Sequence, residues 1–158
     1  MEGGGRRKRC PGKDMIEQDS IRLLRECDAG AKMGVASLKD VIGYVHDTRL
    51  KQLLQDSRDE HSALSGELQQ RLARFGDEGM DPNPIAKTMA EVKTGVKLAF
   101  QPSDQTVAAL MTDGCNMGIK SLNQYLNEYA AAEEYAKDLA KRLIQMERTL
   151  ADNLQEYL

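Results

Sequence analysis

The segment Gly30-Ala31-Lys32-Met33-Gly34-Val35-Ala36-Ser37-Leu38 returns 84 residues later as Gly114-Cys115-Asn116-Met117-Gly118-Ile119-Lys120-Ser121-Leu122, with five of nine positions identical. A second long helical pattern follows each copy. Beyond the break between the patterns the correspondence shifts to an offset of 86, which pairs Leu53 with Leu139, Leu64 with Leu150, Leu68 with Leu154 and Leu72 with Leu158. A chain built this way reads as two related helical hairpins, because one amphipathic hairpin buries its apolar stripe by facing another.

The stripes support that reading. Ile21, Leu24, Asp28, Ala31, Val35, Leu38, Ile42 and Val45 alternate steps of three and four, the spacing of one helix face. They predict a first helix from about Asp19 to Val45. Asp47 is the expected N-cap of a second helix reaching Phe75 and stopped by Gly76. Its stripe is Leu50, Leu54, Ser57, His61, Leu64, Leu68, Arg71 and Phe75. A connection as short as His46-Asp47-Thr48 makes the two helices antiparallel neighbours. The loop from Gly76 to Pro84 opens a shorter amphipathic segment, Pro84 to Phe100, with Ile85, Met89, Val92, Val96 and Phe100 on one face and three lysines beside them. Ser103 is positioned to cap a helix from Asp104 to Glu128, and a last helix runs to Leu158. The expected fold is all-α: an antiparallel four-helix bundle of two repeated hairpins, with a long crossover carrying a short extra helix.

Composition narrows the function. A net charge of −3 argues against a dedicated nucleic-acid binder. No apolar window is long enough to span a membrane. Cys10, Cys27 and Cys115 are odd in number and lack metal-type spacing, which fits a reducing cytoplasm rather than a disulfide scaffold. Residues 1–14 hold Gly3-Gly4-Gly5 and Arg6-Arg7-Lys8-Arg9 without a following apolar stretch. We read them as a disordered basic extension, with Met15 an alternative start, and residues 15–158 as the bundle.

Gly30, Gly34, Gly114 and Gly118 sit inside helical patterns, where each costs about 1 kcal/mol against alanine. Close approach of two helix backbones is the expected return, so these four are candidate close-packing positions. Counting from the hairpin turns at about 1.5 Å per residue puts Asp28, His61, Thr112 and Glu147 within roughly 5 Å of one level. Asp28 pairs with Thr112 in the repeat, and His61 with Glu147.

Two hairpins joined by a long crossover resemble the ferritin-like four-helix superfamily. The Asn-Met-Gly-Ile segment at Asn116 to Ile119 is similar to small uncharacterised members from Gram-positive anaerobes. The resemblance implies a di-iron pattern in which each hairpin gives a Glu from its first helix and Glu-x-x-His from its second. This chain departs from it: Arg58-x-x-His61 and Ile144-x-x-Glu147 replace the second-helix motifs, and Asp28 and Thr112 stand where two Glu are wanted. Six ligands become at most three, Asp28, His61 and Glu147. Those three are candidate ligands for a single divalent metal, since two carboxylates and a His form a recognised triad. The alternative is a hydrogen-bonded polar cluster, Asp28 with His61 and Glu147 with Thr112 or Arg58, that needs no cofactor. We favour the cluster, and with it a non-enzymatic bundle acting through protein contacts, including self-association as a homodimer. A mononuclear metal protein or oxidoreductase is the second reading. Peripheral membrane or partner binding through residues 84–100 is the third.

Overall fold

The computed structural model describes residues 11–77, 79, 82 and 103–158. Among these, four α-helices occur: α1 Pro11–Ile42, α2 Thr48–Ala73, α3 Asp104–Glu128 and α4 Glu134–Leu154, the last continuing into a 3-10 turn at Gln155–Tyr157. No strand appears among the described residues. The basic run Arg6–Arg9 and the amphipathic segment Pro84–Phe100 lie outside them.

Local chemistry sets most helix ends where the sequence places them. Asp47 accepts from the Leu50 amide at 2.8 Å and starts α2, and Ser103 accepts from the Thr106 amide at 3.1 Å and starts α3. Gly76, at φ +70°, ends α2, with the Asp77 amide donating back to the Leu72 carbonyl at 3.1 Å. Three boundaries differ from expectation, the first being the end of α1, at Ile42 rather than Val45. Helix α1 begins at Pro11, inside the segment read as an extension, because proline at a first helical turn lacks only an N–H that would have no partner there. Helix α4 stops at Leu154 rather than Leu158, and Leu158 is 53% exposed, whereas Leu72, its counterpart in the repeat, is fully buried.

Helices α1 and α2 form one hairpin and α3 and α4 the other; α1 packs on both α3 and α4, and α2 on α4. Each hairpin turn is held by the first helix of the other hairpin. The Asp104 carboxylate accepts from the His46 and Asp47 amides at 2.7 and 2.9 Å. At the opposite end Asp19 accepts from the Ala131 amide at 3.1 Å and Ser20 from the Glu133 amide at 2.9 Å. These clasps put the start of α3 beside the α1–α2 turn and the start of α1 beside the α3–α4 turn. The chain therefore leaves α2 at one end of the bundle and begins α3 at the other.

The buried apolar side chains fall into two groups. One gathers Leu23, Leu24, Leu64, Leu68, Leu139 and Leu143 near the α3–α4 turn. The other gathers Leu38, Leu50, Leu54, Val107, Leu150 and Leu154 near the α1–α2 turn. Each leucine buried this way contributes on the order of 2 kcal/mol. Between the two groups the helices carry Gly34, His61, Gly118 and Glu147.

Candidate functional site: a polar layer at mid-bundle

His61 is 1% exposed on α2, and Glu147, the residue 86 positions later, is 9% exposed on α4. The two meet head-on: His61 Nε2 lies 2.7 Å from Glu147 Oε1. The other ring nitrogen, Nδ1, lies 2.7 Å from the Ser57 carbonyl oxygen, one helical turn back, with the Ser57 hydroxyl 3.4 Å away. Burial by itself lowers the His61 pKa; the hydrogen bond and charge of Glu147, the Ser57 carbonyl and the charge of Glu60 together outweigh it and hold the pKa above the ordinary value.

Gly34 makes room for this pair. A Cβ on Gly34 would stand 2.6 Å from His61 Cδ2 and 3.1 Å from Nε2. A Cβ on Gly118 would stand 3.6 Å from Glu147 Cδ, an ordinary contact. One on Gly30 would touch Leu143 at 3.7 Å, and one on Gly114 would meet nothing within 4 Å. The close approach expected of all four is thus met at Gly34 alone. There the neighbour is an imidazole ring rather than a second helix backbone.

Asp28 is fully buried on α1 but belongs to a different group. Ser65, one turn beyond His61 on α2, donates its hydroxyl to Asp28 Oδ1 at 3.0 Å, and Lys32 Nζ lies 2.9 Å from Oδ2. Gly79, at φ +91°, runs over the same carboxylate so closely that a Cβ there would come within 2.5 Å of Oδ2.

Several expected pairings are corrected. Asp28 bonds Ser65 and Lys32 rather than His61. Thr112 does not reach Glu147; its hydroxyl donates to the Ala108 carbonyl at 2.7 Å in its own helix. Arg58 turns outward to Asp59 at 3.3 Å. Among the described residues no three His, Cys, Asp or Glu side chains converge as a group that could hold a metal, so Asp28, His61 and Glu147 do not assemble the triad their common level suggested. Sequence reasoning missed Ser65 and Lys32 as partners. Both had a signal: Ser57, His61 and Ser65 repeat every four residues, and Lys32 follows Asp28 by four.

Cys27 and Cys115 are buried thiols. Burial first, then the charges of Glu26 and Asp28, push Cys27 up to about 12. Burial and the adjoining Glu147 also push Cys115 up. Both are held as thiols, unsuited to nucleophilic or ligand roles at neutral pH.

Residues 19–128 match the family model described as "Domain of unknown function (DUF2383)". The chain belongs to this family. The matched stretch carries Asp28 and His61 and ends before α4, so it leaves out Glu147. No curated protein matches the chain. Among solved structures, the X-ray structure of Dps from Thermosynechococcus elongatus aligns with a TM-score of 0.64 at 16% identity, covering 94% of each chain. At that identity the likeness establishes the fold alone, an all-α four-helix bundle. In this DUF2383 member the donor set does not fit a metal as arranged. His61 and Glu147 direct their coordinating atoms at each other, and Lys32 already sets a cation against the outer oxygen of Asp28.

Proposed function

We propose that this chain is a non-enzymatic ferritin-like bundle that acts through protein contacts, and that its central polar residues serve helix docking rather than metal chemistry. The observation that carries the reading is the direct His61–Glu147 bond at 2.7 Å across the two hairpins. It uses, for structure, the two side chains best placed to ligate. Every buried side-chain nitrogen or oxygen among the described residues has a hydrogen-bond partner, which a resident ion would have to displace. Exposed apolar side chains are available for contacts: Met117 is 71% exposed and Tyr44 44%. No helix among the described residues is long and apolar enough to cross a membrane. The working picture is a cytoplasmic protein that self-associates or joins a protein partner, without nucleic acid.

Protein purified without chelators and assayed by elemental analysis and thermal shift with iron, manganese and zinc tests the reading. The expected result is substoichiometric metal and no shift. One tightly held equivalent, lost in His61→Ala, overturns it in favour of a mononuclear metal protein. Sedimentation at several concentrations should show reversible association, weakened in Met117→Asp.

A further inference from the structure

The His61 ring is placed between two oxygens. Nδ1 faces the Ser57 carbonyl at 2.7 Å and Nε2 faces a Glu147 carboxylate oxygen at 2.7 Å. A backbone carbonyl can only accept, and so can an ionised carboxylate. A neutral imidazole carries one N–H, so it would turn a lone pair at one of these oxygens in a buried site. Exchanging tautomers does not help. A proton on Nε2 leaves Nδ1 facing the Ser57 carbonyl, with the Ser57 hydroxyl at 3.4 Å too distant to compensate fully. Against a Glu147 carboxylate the geometry therefore calls for a proton on each ring nitrogen; a proton on the Glu147 oxygen instead would leave the ring neutral, and the ring nitrogen shifts tell the two apart.

We propose that His61 stands in the folded protein as an imidazolium, and that this proton latches the two hairpins together, so that its removal at alkaline pH loosens their docking. The ring joins α2 of the first hairpin to α4 of the second. The groups around it agree. Helix α4 presents Glu147, the direct partner. Helix α2 itself adds the charge of Glu60 and the Ser57 carbonyl. Helix α3 presents Cys115, a neutral thiol beside Glu147. Helix α1 presents Gly34, whose missing side chain leaves room for the ring, and one turn further along α2 its Asp28 is engaged by Ser65 and Lys32.

The sign follows from linkage. A histidine held above its ordinary 6.5 in the folded state stabilises fully below that value and loses its contribution as pH rises through the folded-state pKa. The latch therefore opens in the upward direction of pH.

The test uses the full chain with His46→Asn, which leaves His61 as its one imidazole. Ring nitrogen-15 shifts at pH 7 are expected to show both nitrogens protonated. In Glu147→Gln the amide can donate to Nε2 while Nδ1–H keeps the Ser57 carbonyl, so a neutral ring should suffice. The urea midpoint should fall between pH 6.5 and 9 in the parent and stay level in Glu147→Gln. A neutral ring at pH 7 in the parent, or the same pH slope in both proteins, overturns the proposal. Should Glu147→Gln fail to fold, the parent's ring shifts decide alone. The metal assay above is independent: a bound ion would refute the proposed function, whereas a neutral ring without metal would refute only the latch.

Discussion

Replacing Gly34 and Gly118 with alanine should move stability in opposite directions, although the two positions correspond in the repeat. Both lie inside α-helices, so either change gains about 1 kcal/mol of helix propensity. The surroundings decide the balance. At Gly118 the new methyl meets Glu147 at ordinary contact distance, 3.6 Å, and the gain survives. At Gly34 it would stand 2.6 Å from His61 Cδ2, closer than two carbons tolerate. The ring cannot swing away without breaking its bonds to Ser57 and Glu147, each 2.7 Å long. Overpacking of this kind costs about 1–3 kcal/mol, and disturbing a buried charge-assisted hydrogen bond adds to it. Gly34→Ala should therefore lose about 1–2 kcal/mol net, while Gly118→Ala gains about 0.5–1 kcal/mol. For a chain of this size each kcal/mol moves Tm by about 2–4 °C. Urea titration or calorimetry of both variants reads the difference. Equal stabilisation by the two alanines would refute the claim that Gly34 exists to seat the imidazole. Adding Gly34→Ala to a His61→Ala background should relieve the loss, because the methyl would then occupy vacated space.

Other outcomes follow from the same contacts. Asp104→Ala removes two accepted hydrogen bonds from the α1–α2 turn and should destabilise by about 1 kcal/mol, with faster amide exchange at His46 and Asp47. In a Cys10→Ser background, Cys27 and Cys115 should resist maleimide at pH 7.5 in native protein and react fully in denaturant, since burial keeps both as thiols. Rapid native labelling of either would show that the bundle opens there.

Much of the fold is legible along the chain because helix periodicity and capping are local. Asp47 and Ser103 cap where side-chain oxygens can reach amides three residues on, and Gly76 stops α2 because glycine accepts φ +70° readily. Proline is equally local, yet the α1 start is not legible in the sequence, since Pro11 lies in a basic stretch with no apolar stripe. The level of the polar residues was legible only in part: a rise of about 1.5 Å per residue converts sequence distance into depth and sets His61 opposite Glu147, but Asp28 meets Ser65, one turn away from His61.

The sequence alone determined two helical hairpins, their turns and the shared height of His61 and Glu147. Which polar side chains would touch was decided only by tertiary structure. Depth along an axis leaves the angle around it open, and that angle comes from how the hairpins pack. Packing turned His61 toward Glu147 and gave Asp28 to Ser65 and Lys32. It also separated four similar glycines, crowding Gly34 against a ring and leaving Gly114 in open space. Side chains counted to nearly one level become a metal site or separate hydrogen bonds according to a few ångströms of axial and lateral placement, a quantity that periodicity does not encode.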